Sequence, residues 1–151
     1  MTVLHIPKGL FEEARHFFED RGSFGYEGTA MIAARTPGRA DKLVIPDQIA
    51  GDRGSWVEVT DKGKLELAAA LRDGSIYVSR IHSHALEAFH SPVDDRNPIL
   101  TYPGALSIVV PYYGLGLRRG LGACAVFELR DHNWIELKPG GKRDSVVIEL
   151  D

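Results

Sequence analysis

The sequence has little cysteine and no excess of positive charge. Its 151 residues include one cysteine, Cys124, so an intramolecular disulfide and a zinc site built on two or more thiolates are both excluded. Eighteen lysines and arginines against 21 acidic residues give a formal net charge of −3. No general basic field would attract a polyanion, which argues against a dedicated nucleic-acid-binding protein. Histidine and carboxylate groups would have to supply most of the ligands of any metal site.

Export and membrane-spanning signals are also missing. Residues 1–7 contain no cationic stretch that leads into a long apolar run, and no apolar run approaches the roughly 18 residues that a membrane span requires. We therefore expect a cytoplasmic protein with no membrane partner. The hydrophobic fraction of 44% is typical of globular proteins. The length predicts a single domain over residues 1–151.

Hydrophobic periodicity predicts an α+β or α/β domain in which two main helices cover a sheet. The first helix is predicted over residues 9–20, with Leu10, Ala14, Phe17 and Phe18 on one face. The second begins after Thr60 or Asp61 and ends at Asp73-Gly74. Strands are predicted over residues 3–6, 28–35, 42–46, 56–59, 75–84, 105–110, 123–130, 134–137 and 145–150. The strand over 105–110 is the most hydrophobic and is expected to be central.

Two histidines on one strand are the most informative feature of the chain. His82 and His84 stand near the end of the predicted strand over 75–84. Because strand side chains alternate between the two faces of a sheet, both imidazoles point to the same face while Ser83 points away. This spacing lets one strand offer two ligands to one metal ion at the mouth of a cleft. The alternative is that both are ordinary strand residues.

A short helix around residues 91–97 is predicted to follow the histidine pair. Ser91 and Pro92 are typical of an N-cap and a first helical position. Asp94 lies three residues after Ser91, where a turn can bring its carboxylate back toward the histidines. Two histidines, one carboxylate and an open fourth position are typical of a catalytic zinc site. Such a site lowers the pKa of bound water from about 16 toward about 7.

Glu27 is the candidate base for that water. It stands at the head of the apolar strand over 28–35, with no opposite charge beside it in the sequence. A carboxylate at the edge of a buried sheet, near a metal, can serve as a proton shuttle. The alternative interpretation is a solvated carboxylate at the end of a strand. The sequence alone does not bring Glu27 next to His82, and that step depends on the fold.

Two further segments have simpler interpretations. The glycine-rich stretch over 114–122 has no Lys-Ser/Thr and no following helix, so we expect a mobile loop near the cleft rather than a phosphate-binding loop. Cys124 lies in a small apolar run and is expected to be a buried core residue rather than a nucleophile.

Together these residues resemble the JAMM motif of the JAB/MPN metalloprotease family. In that motif a glutamate, here Glu27, is followed by His-Ser/Thr-His, here His82-Ser83-His84, and by Ser-x-x-Asp, here Ser91-Pro92-Val93-Asp94. The stretch over 88–110 and the order of the predicted elements are similar to the prokaryotic branch. The resemblance implies a three-layer α+β fold of the JAB/MPN, cytidine-deaminase-like type. Its central sheet would be mixed and partly curled, with two main flanking helices.

The resemblance also implies a role for each matching residue. His82, His84 and Asp94 would bind Zn²⁺, with water as the fourth ligand. Glu27 would act as general base and then as general acid, and Ser91 would donate a hydrogen bond to the oxyanion of the tetrahedral intermediate.

The loop between the histidines and the serine departs from the family pattern in two ways. It is one residue shorter than usual, and Ala85 replaces the usual proline after the second histidine. Counting from His84 would select Asp95 as the third ligand, whereas counting from Ser91 selects Asp94. We favour Asp94, because the serine and the aspartate share one helical turn while the loop before them can shorten freely.

The activity implied by the resemblance is that of a zinc-dependent isopeptidase or peptidase. It would hydrolyse the bond after the C-terminus of a ubiquitin-like protein, in deconjugation or precursor processing, including in bacterial antiviral defence. The partner would be a ubiquitin-like protein or its conjugate, with no nucleic acid. Two alternatives stay open: a sulfur-carrier-protein peptidase that releases a C-terminal amino acid, and a non-catalytic MPN scaffold.

Overall fold

The computed structural model describes residues 3–51, 56–88, 100 and 103–150. In chain order its elements are β1 (Leu4–Pro7), α1 (Lys8–Gly22), β2 (Thr29–Ala34), β3 (Lys42–Val44), β4 (Gln48–Ala50), β5 (Val57–Val59), α2 (Asp61–Ala69), β6 (Ile76–Ser83), β7 (Leu106–Val110), a 3-10 helical segment (Tyr112–Ala123), β8 (Ala125–Arg130), β9 (Asn133–Glu136), α3 (Gly141–Asp144) and β10 (Val147–Leu150). Within these ranges no helix is long and apolar enough to cross a membrane.

Six strands form the central sheet, in the order β3-β2-β6-β7-β8-β9. β6 and β7 run parallel, and the other neighbouring pairs are antiparallel. Every residue of β7 is buried, as expected for an apolar strand with a neighbour on each side. The predicted α+β architecture with a mixed central sheet is confirmed. Two small sheets, β1 with β10 and β4 with β5, lie beside it.

The two main helices pack on opposite faces of the sheet. Phe18 of α1 belongs to the same buried cluster as Ile32 of β2. Leu67 of α2 belongs to a second cluster with Met31, the neighbouring residue of β2. Because neighbouring strand residues face opposite ways, helix, sheet and helix form three layers.

The buried face of α1 differs from the predicted one by about one position. Phe11, Ala14 and Phe18 are buried, whereas Leu10 and Phe17 are only partly buried against the same cluster. The prediction included Leu10 and Phe17 in the face and left Phe11 out. A helix that buries a wide stripe tolerates this rotation, because residues on both sides of the stripe are apolar.

The segment Tyr112–Ala123 is where the structure differs most from the predicted elements. It was expected to be a mobile loop over 114–122, but it forms 3-10 helical turns that bury Leu117 and Leu121 and packs against α1. Gly114 permits the close approach, because a Cβ at that position would lie 2.6 Å from the Cβ of Phe18. β4 and α3 were also absent from the prediction.

Cys124 lies in the core, as predicted. It is 4% exposed and belongs to the same cluster as α1. Burial raises the pKa of its thiol to about 12, so the thiolate form is scarce at neutral pH. A role as nucleophile is therefore disfavoured.

Candidate metal centre

His82 and His84 stand where β6 leaves the central sheet. His82 is paired with Thr29 of β2 on one side and with Val109 of β7 on the other. His84 follows the last strand residue, and its backbone N–H donates to the carbonyl of Val110 at 2.8 Å. Both histidines are buried, with exposed fractions of 4% and 7%. The strand ladder therefore fixes the backbone of both residues.

The two imidazole rings face each other closely. Their centroids are 5.1 Å apart and their planes are tilted by 53°. Two imidazoles that each bind one tetrahedral zinc ion through one nitrogen would have ring centres about 5 Å apart. Ser83 points to the other face, where its Oγ accepts a hydrogen bond from the backbone N–H of Gly28 at 2.8 Å. The ring separation and the alternation both fit a shared metal ion.

A backbone carbonyl orients the ring of His84. Its Nδ1 lies 3.1 Å from the carbonyl oxygen of Glu87. A carbonyl oxygen only accepts, so Nδ1 carries the hydrogen in this contact. Nε2 then bears the lone pair in the neutral ring, which is the arrangement that metal-binding histidines adopt. The donor chemistry of this side chain suits zinc.

Glu27 contacts the residue after the histidine pair, although it lies in a different part of the chain. Its carboxylate oxygen Oε2 accepts a hydrogen bond from the backbone N–H of Ala85, the residue after His84, at 3.1 Å. The two residues are 58 positions apart in the sequence. The fold therefore brings the Glu27 carboxylate to the residue that directly follows His84.

The turn before β2 holds Glu27 in place. Arg21, near the end of α1, donates from Nε to the backbone carbonyl of Glu27 at 2.9 Å. The guanidinium group of Arg21 lies over the rings of Phe17 and Tyr26, at 5.7 and 5.8 Å from their centroids. Arg21 was not predicted from the sequence, although its position between Phe17 and Tyr26, shortly before Glu27, is a signal that could have identified it.

Gly28 and Ser83 join this turn to β6. Beside the Ser83 Oγ contact, the backbone N–H of Ser83 donates to the carbonyl of Gly28 at 2.9 Å. A Cβ on Gly28 would lie 3.0 Å from atoms of both Arg21 and Phe17. The absence of a side chain at position 28 therefore lets α1 and the strand end approach closely.

The remaining predicted site residues lie outside the described residues. These are Ser91, Asp94 and its alternative Asp95, together with the predicted helix over 91–97. Among the residues that the structure does describe, no group of three histidine, cysteine, aspartate or glutamate side chains could hold a metal ion. His82 and His84 lie next to each other as predicted, and the metal-binding role of both, like the third ligand, stays a prediction.

Comparisons with known proteins bear on the fold. No protein-family model matches the sequence, and a search of curated proteins gives no match. The chain is similar to the solution structure of protein DSY2949 from Desulfitobacterium hafniense, with a TM-score of 0.64, 16% identity, and coverage of 99% of this chain and 94% of that one.

A second solved structure places the fold in a known class. It is AF2198, a JAB1/MPN domain protein from Archaeoglobus fulgidus, with a TM-score of 0.51, 16% identity, and coverage of 98% of this chain and all (100%) of that one. Similarity at this level of identity concerns the fold alone. The chain has an MPN-like α+β fold, as the motif predicted.

Proposed function

We propose that this protein is a zinc-dependent isopeptidase or peptidase that hydrolyses the bond after the C-terminus of a ubiquitin-like protein. The observation that carries the proposal is the contact between the Glu27 carboxylate and the backbone N–H of Ala85, directly after His84. It brings a potential base to the residue that follows a pair of potential metal ligands, within an MPN-like fold.

His82, His84 and Asp94 would hold the metal. When bound, Zn²⁺ would supply Lewis acidity, which lowers the pKa of water toward about 7 and polarises the scissile carbonyl. The Glu87 carbonyl keeps the His84 ring in the required orientation. Buried surroundings strengthen these interactions, because neither imidazole is more than 7% exposed.

Glu27 would move the proton. Its carboxylate takes a proton from the attacking water as the new C–O bond forms, and then gives that proton to the nitrogen of the leaving amine as the C–N bond breaks. The hydrogen bond from Ala85 to Oε2 sets the direction of the carboxylate during both transfers. Ser91 would donate to the oxyanion that develops on the carbonyl oxygen.

Exposed apolar side chains near the site support a polypeptide substrate. Tyr26 adjoins Glu27 and is 41% exposed, Leu86 is 71% exposed and Tyr112 is 50% exposed. Tyr112 and Leu86 are neighbours, because the backbone N–H of Tyr112 donates to the carbonyl of Leu86 at 2.9 Å. Adjoining exposed apolar side chains, such as those of Leu86 and Tyr112, support binding of a protein chain where they form a contiguous patch.

Cleavage of a ubiquitin-like fusion protein tests the proposal. We expect the zinc-loaded protein to cleave the fusion, and Glu27→Gln to lower kcat by about 10²-fold or more, because the amide cannot accept the water proton. The matched control is Glu13→Gln on the exposed side of α1, which should leave kcat unchanged. Equal rates for Glu27→Gln and the wild type would contradict the proposed role of Glu27.

The same reaction distinguishes the alternatives. Mass spectrometry should identify the intact ubiquitin-like protein as a product. Release of a single C-terminal amino acid would favour the sulfur-carrier-protein peptidase instead. A zinc-loaded protein that binds the fusion without cleaving it would favour the non-catalytic scaffold.

A further inference from the structure

Two consecutive tyrosines adopt a backbone conformation that tyrosine rarely takes. Tyr112 has φ of 56° and Tyr113 has φ of 52°, and Gly114 continues the left-handed turn with φ of 93°. This region crowds Cβ against the backbone, so side chains other than glycine, asparagine and aspartate occupy it only when the surrounding structure holds them there. Such positions concentrate at functional sites.

The turn is hydrogen-bonded to His84 and to the loop that follows it. The backbone N–H of Tyr113 donates to the carbonyl of His84 at 2.8 Å, and that of Tyr112 donates to the carbonyl of Leu86 at 2.9 Å. Between these two carbonyls lies Ala85, whose N–H binds the Glu27 carboxylate. Directly after them comes Glu87, whose carbonyl orients the His84 ring. Both donors belong to residues of the left-handed turn.

Tyr113 also contacts the segment that carries Glu27. Its hydroxyl donates to the carbonyl of Gly25, two residues before Glu27, at 3.3 Å. Its Cβ packs directly on the last residue of α1, because a Cβ on Gly22 would lie 2.4 Å from it. One side chain thus contacts α1 and the turn before β2, while its own backbone contacts the end of β6.

We propose that Tyr113 is a positioning residue that fixes the Glu27 carboxylate relative to the loop after His84. The catalytic meaning of this role rests on the proposed hydrolase function, but the structural link from Tyr113 to the Glu27–Ala85 contact does not. A readout of that contact in the metal-free protein therefore separates the two proposals.

Hydrogen exchange of the Ala85 amide, measured by NMR, is that readout. Gly22→Ala should displace Tyr113, because the new Cβ meets the Tyr113 Cβ. Its matched control is Gly9→Ala in the same helix, where a Cβ meets nothing within 4 Å. Tyr113→Phe removes the hydroxyl contact with Gly25 without changing the shape of the ring. Its control is Tyr77→Phe, which removes a hydroxyl bond to the carbonyl of Leu67.

After correction for global stability, we expect Ala85 to exchange about tenfold faster in Gly22→Ala and about threefold faster in Tyr113→Phe. Exchange in Gly9→Ala and Tyr77→Phe should match the wild type. In the zinc-loaded protein, Gly22→Ala should lower kcat by about tenfold while leaving KM and zinc affinity nearly unchanged, because a small displacement of a base impairs proton transfer more than binding.

Ala85 exchange in Gly22→Ala equal to that in Gly9→Ala would overturn the proposal. If Gly22→Ala does not fold, Tyr113→Phe decides the question against Tyr77→Phe in the same way. A wild-type protein that cleaves no substrate would overturn the proposed function, while the Ala85 measurement would still decide the role of Tyr113.

Discussion

The two main helices differ in where they lie relative to the candidate site and in whether they contact it. α2 lies on the same face of the sheet as His82, because Met31 packs with Leu67 of α2 and is two residues along β2 from Thr29, the partner of His82. Its contact with β6 is at the far end of that strand, where the Tyr77 hydroxyl donates to the carbonyl of Leu67 at 2.6 Å. α1 lies on the other face, yet its last turn reaches the site.

The last turn of α1 supplies two contacts that hold the site. Arg21 donates to the carbonyl of Glu27, and Gly22 packs against Tyr113. The outer side of the helix is held by Arg15, whose guanidinium lies 2.7 Å from carboxylate oxygens of both Glu12 and Glu19. The end of α1, rather than the face of the nearer helix α2, therefore contacts the residues that hold Glu27. Substitutions in α1 and α2 should therefore have different consequences.

The largest effect on stability is expected from Phe18→Ala in α1. Phe18 is fully buried, with 0% exposure, and packs in the main cluster. Its truncation should lower the free energy of unfolding by about 3–5 kcal/mol, through lost burial and a cavity. Because α1 positions Glu27, exchange of the Ala85 amide should also accelerate after correction for global stability. Urea unfolding with parallel NMR measures both, and a loss under about 1 kcal/mol would contradict this account of the core.

Leu67→Ala is the matching change in α2. Leu67 is 6% exposed and is the only large apolar side chain of α2 that is buried. We expect the free energy of unfolding to fall by about 2–3 kcal/mol. Exchange of the Ala85 amide, corrected for global stability, should stay at the wild-type value. Faster corrected exchange in this variant would show that α2 also positions the site.

A smaller effect is expected at the start of α2. Thr60 is the N-cap of this helix, and its hydroxyl accepts from the backbone N–H of Gly63 at 3.1 Å. Thr60→Ala should lower the free energy of unfolding by about 1 kcal/mol, whereas Thr60→Ser should retain most of it. Equal losses for the two variants in urea unfolding would assign the effect to the threonine methyl group rather than to the cap.

The smallest effect concerns Asp73, beyond the C-terminal end of α2. Hydrogen bonds from Ser75, and then one from Lys42, lower the pKa of its carboxyl in the folded state. The charged form is thus favoured by folding, so the stabilisation is present above about pH 4 and is lost as the pH falls below it. Solvent screening keeps the effect small.

Asp73→Asn should remove this acid dependence. Between pH 7 and pH 3 the urea midpoint of the wild type should fall further than that of the variant. Asp61→Asn is the control, because the Asp61 side chain is fully exposed and its nearest ion-pair distance, to Lys64, is 3.8 Å. The assignment would be contradicted if the urea midpoint of Asp73→Asn fell as far as that of the wild type between pH 7 and pH 3, while that of Asp61→Asn fell less.

Elements with a strong hydrophobic pattern could be predicted from the sequence. The strand over 105–110 is apolar except for Ser107, and the structure buries all of β7. The turn between β8 and β9 was also predictable, because Asp131-His132-Asn133 separates two strand patterns. In the structure Asp131 and His132 take positive φ values of 48° and 66°, as in a tight hairpin. In both cases the local sequence determines the local structure.

Other features depend on tertiary contacts and could not be predicted. The 3-10 turns of Tyr112–Ala123 are stabilised by packing on α1, whereas their glycine content alone favours a loop. α2 ends at Ala69 rather than at Asp73-Gly74, and Leu65 on it is 73% exposed. Its short buried face produces little helical periodicity.

The candidate site also combines features that the local sequence predicts with features that depend on tertiary contacts. Period-two alternation predicted that His82 and His84 share a face, and the 5.1 Å ring separation agrees. The approach of Glu27 to Ala85 spans 58 positions, so only the fold or a family resemblance could supply it. Tyr113 was missed, because its role depends on a left-handed turn that the sequence of two tyrosines disfavours.

The most direct test of the central claim is the zinc content of the purified protein, measured by elemental analysis, with anomalous scattering from crystals to locate the ion. We expect one zinc ion per chain, bound by His82 and His84. His82→Ala and His84→Ala should each lose it, while His16→Ala, an exposed histidine of α1, should retain it. A protein that takes up no zinc, or that retains the full amount in both His82→Ala and His84→Ala, would contradict the account.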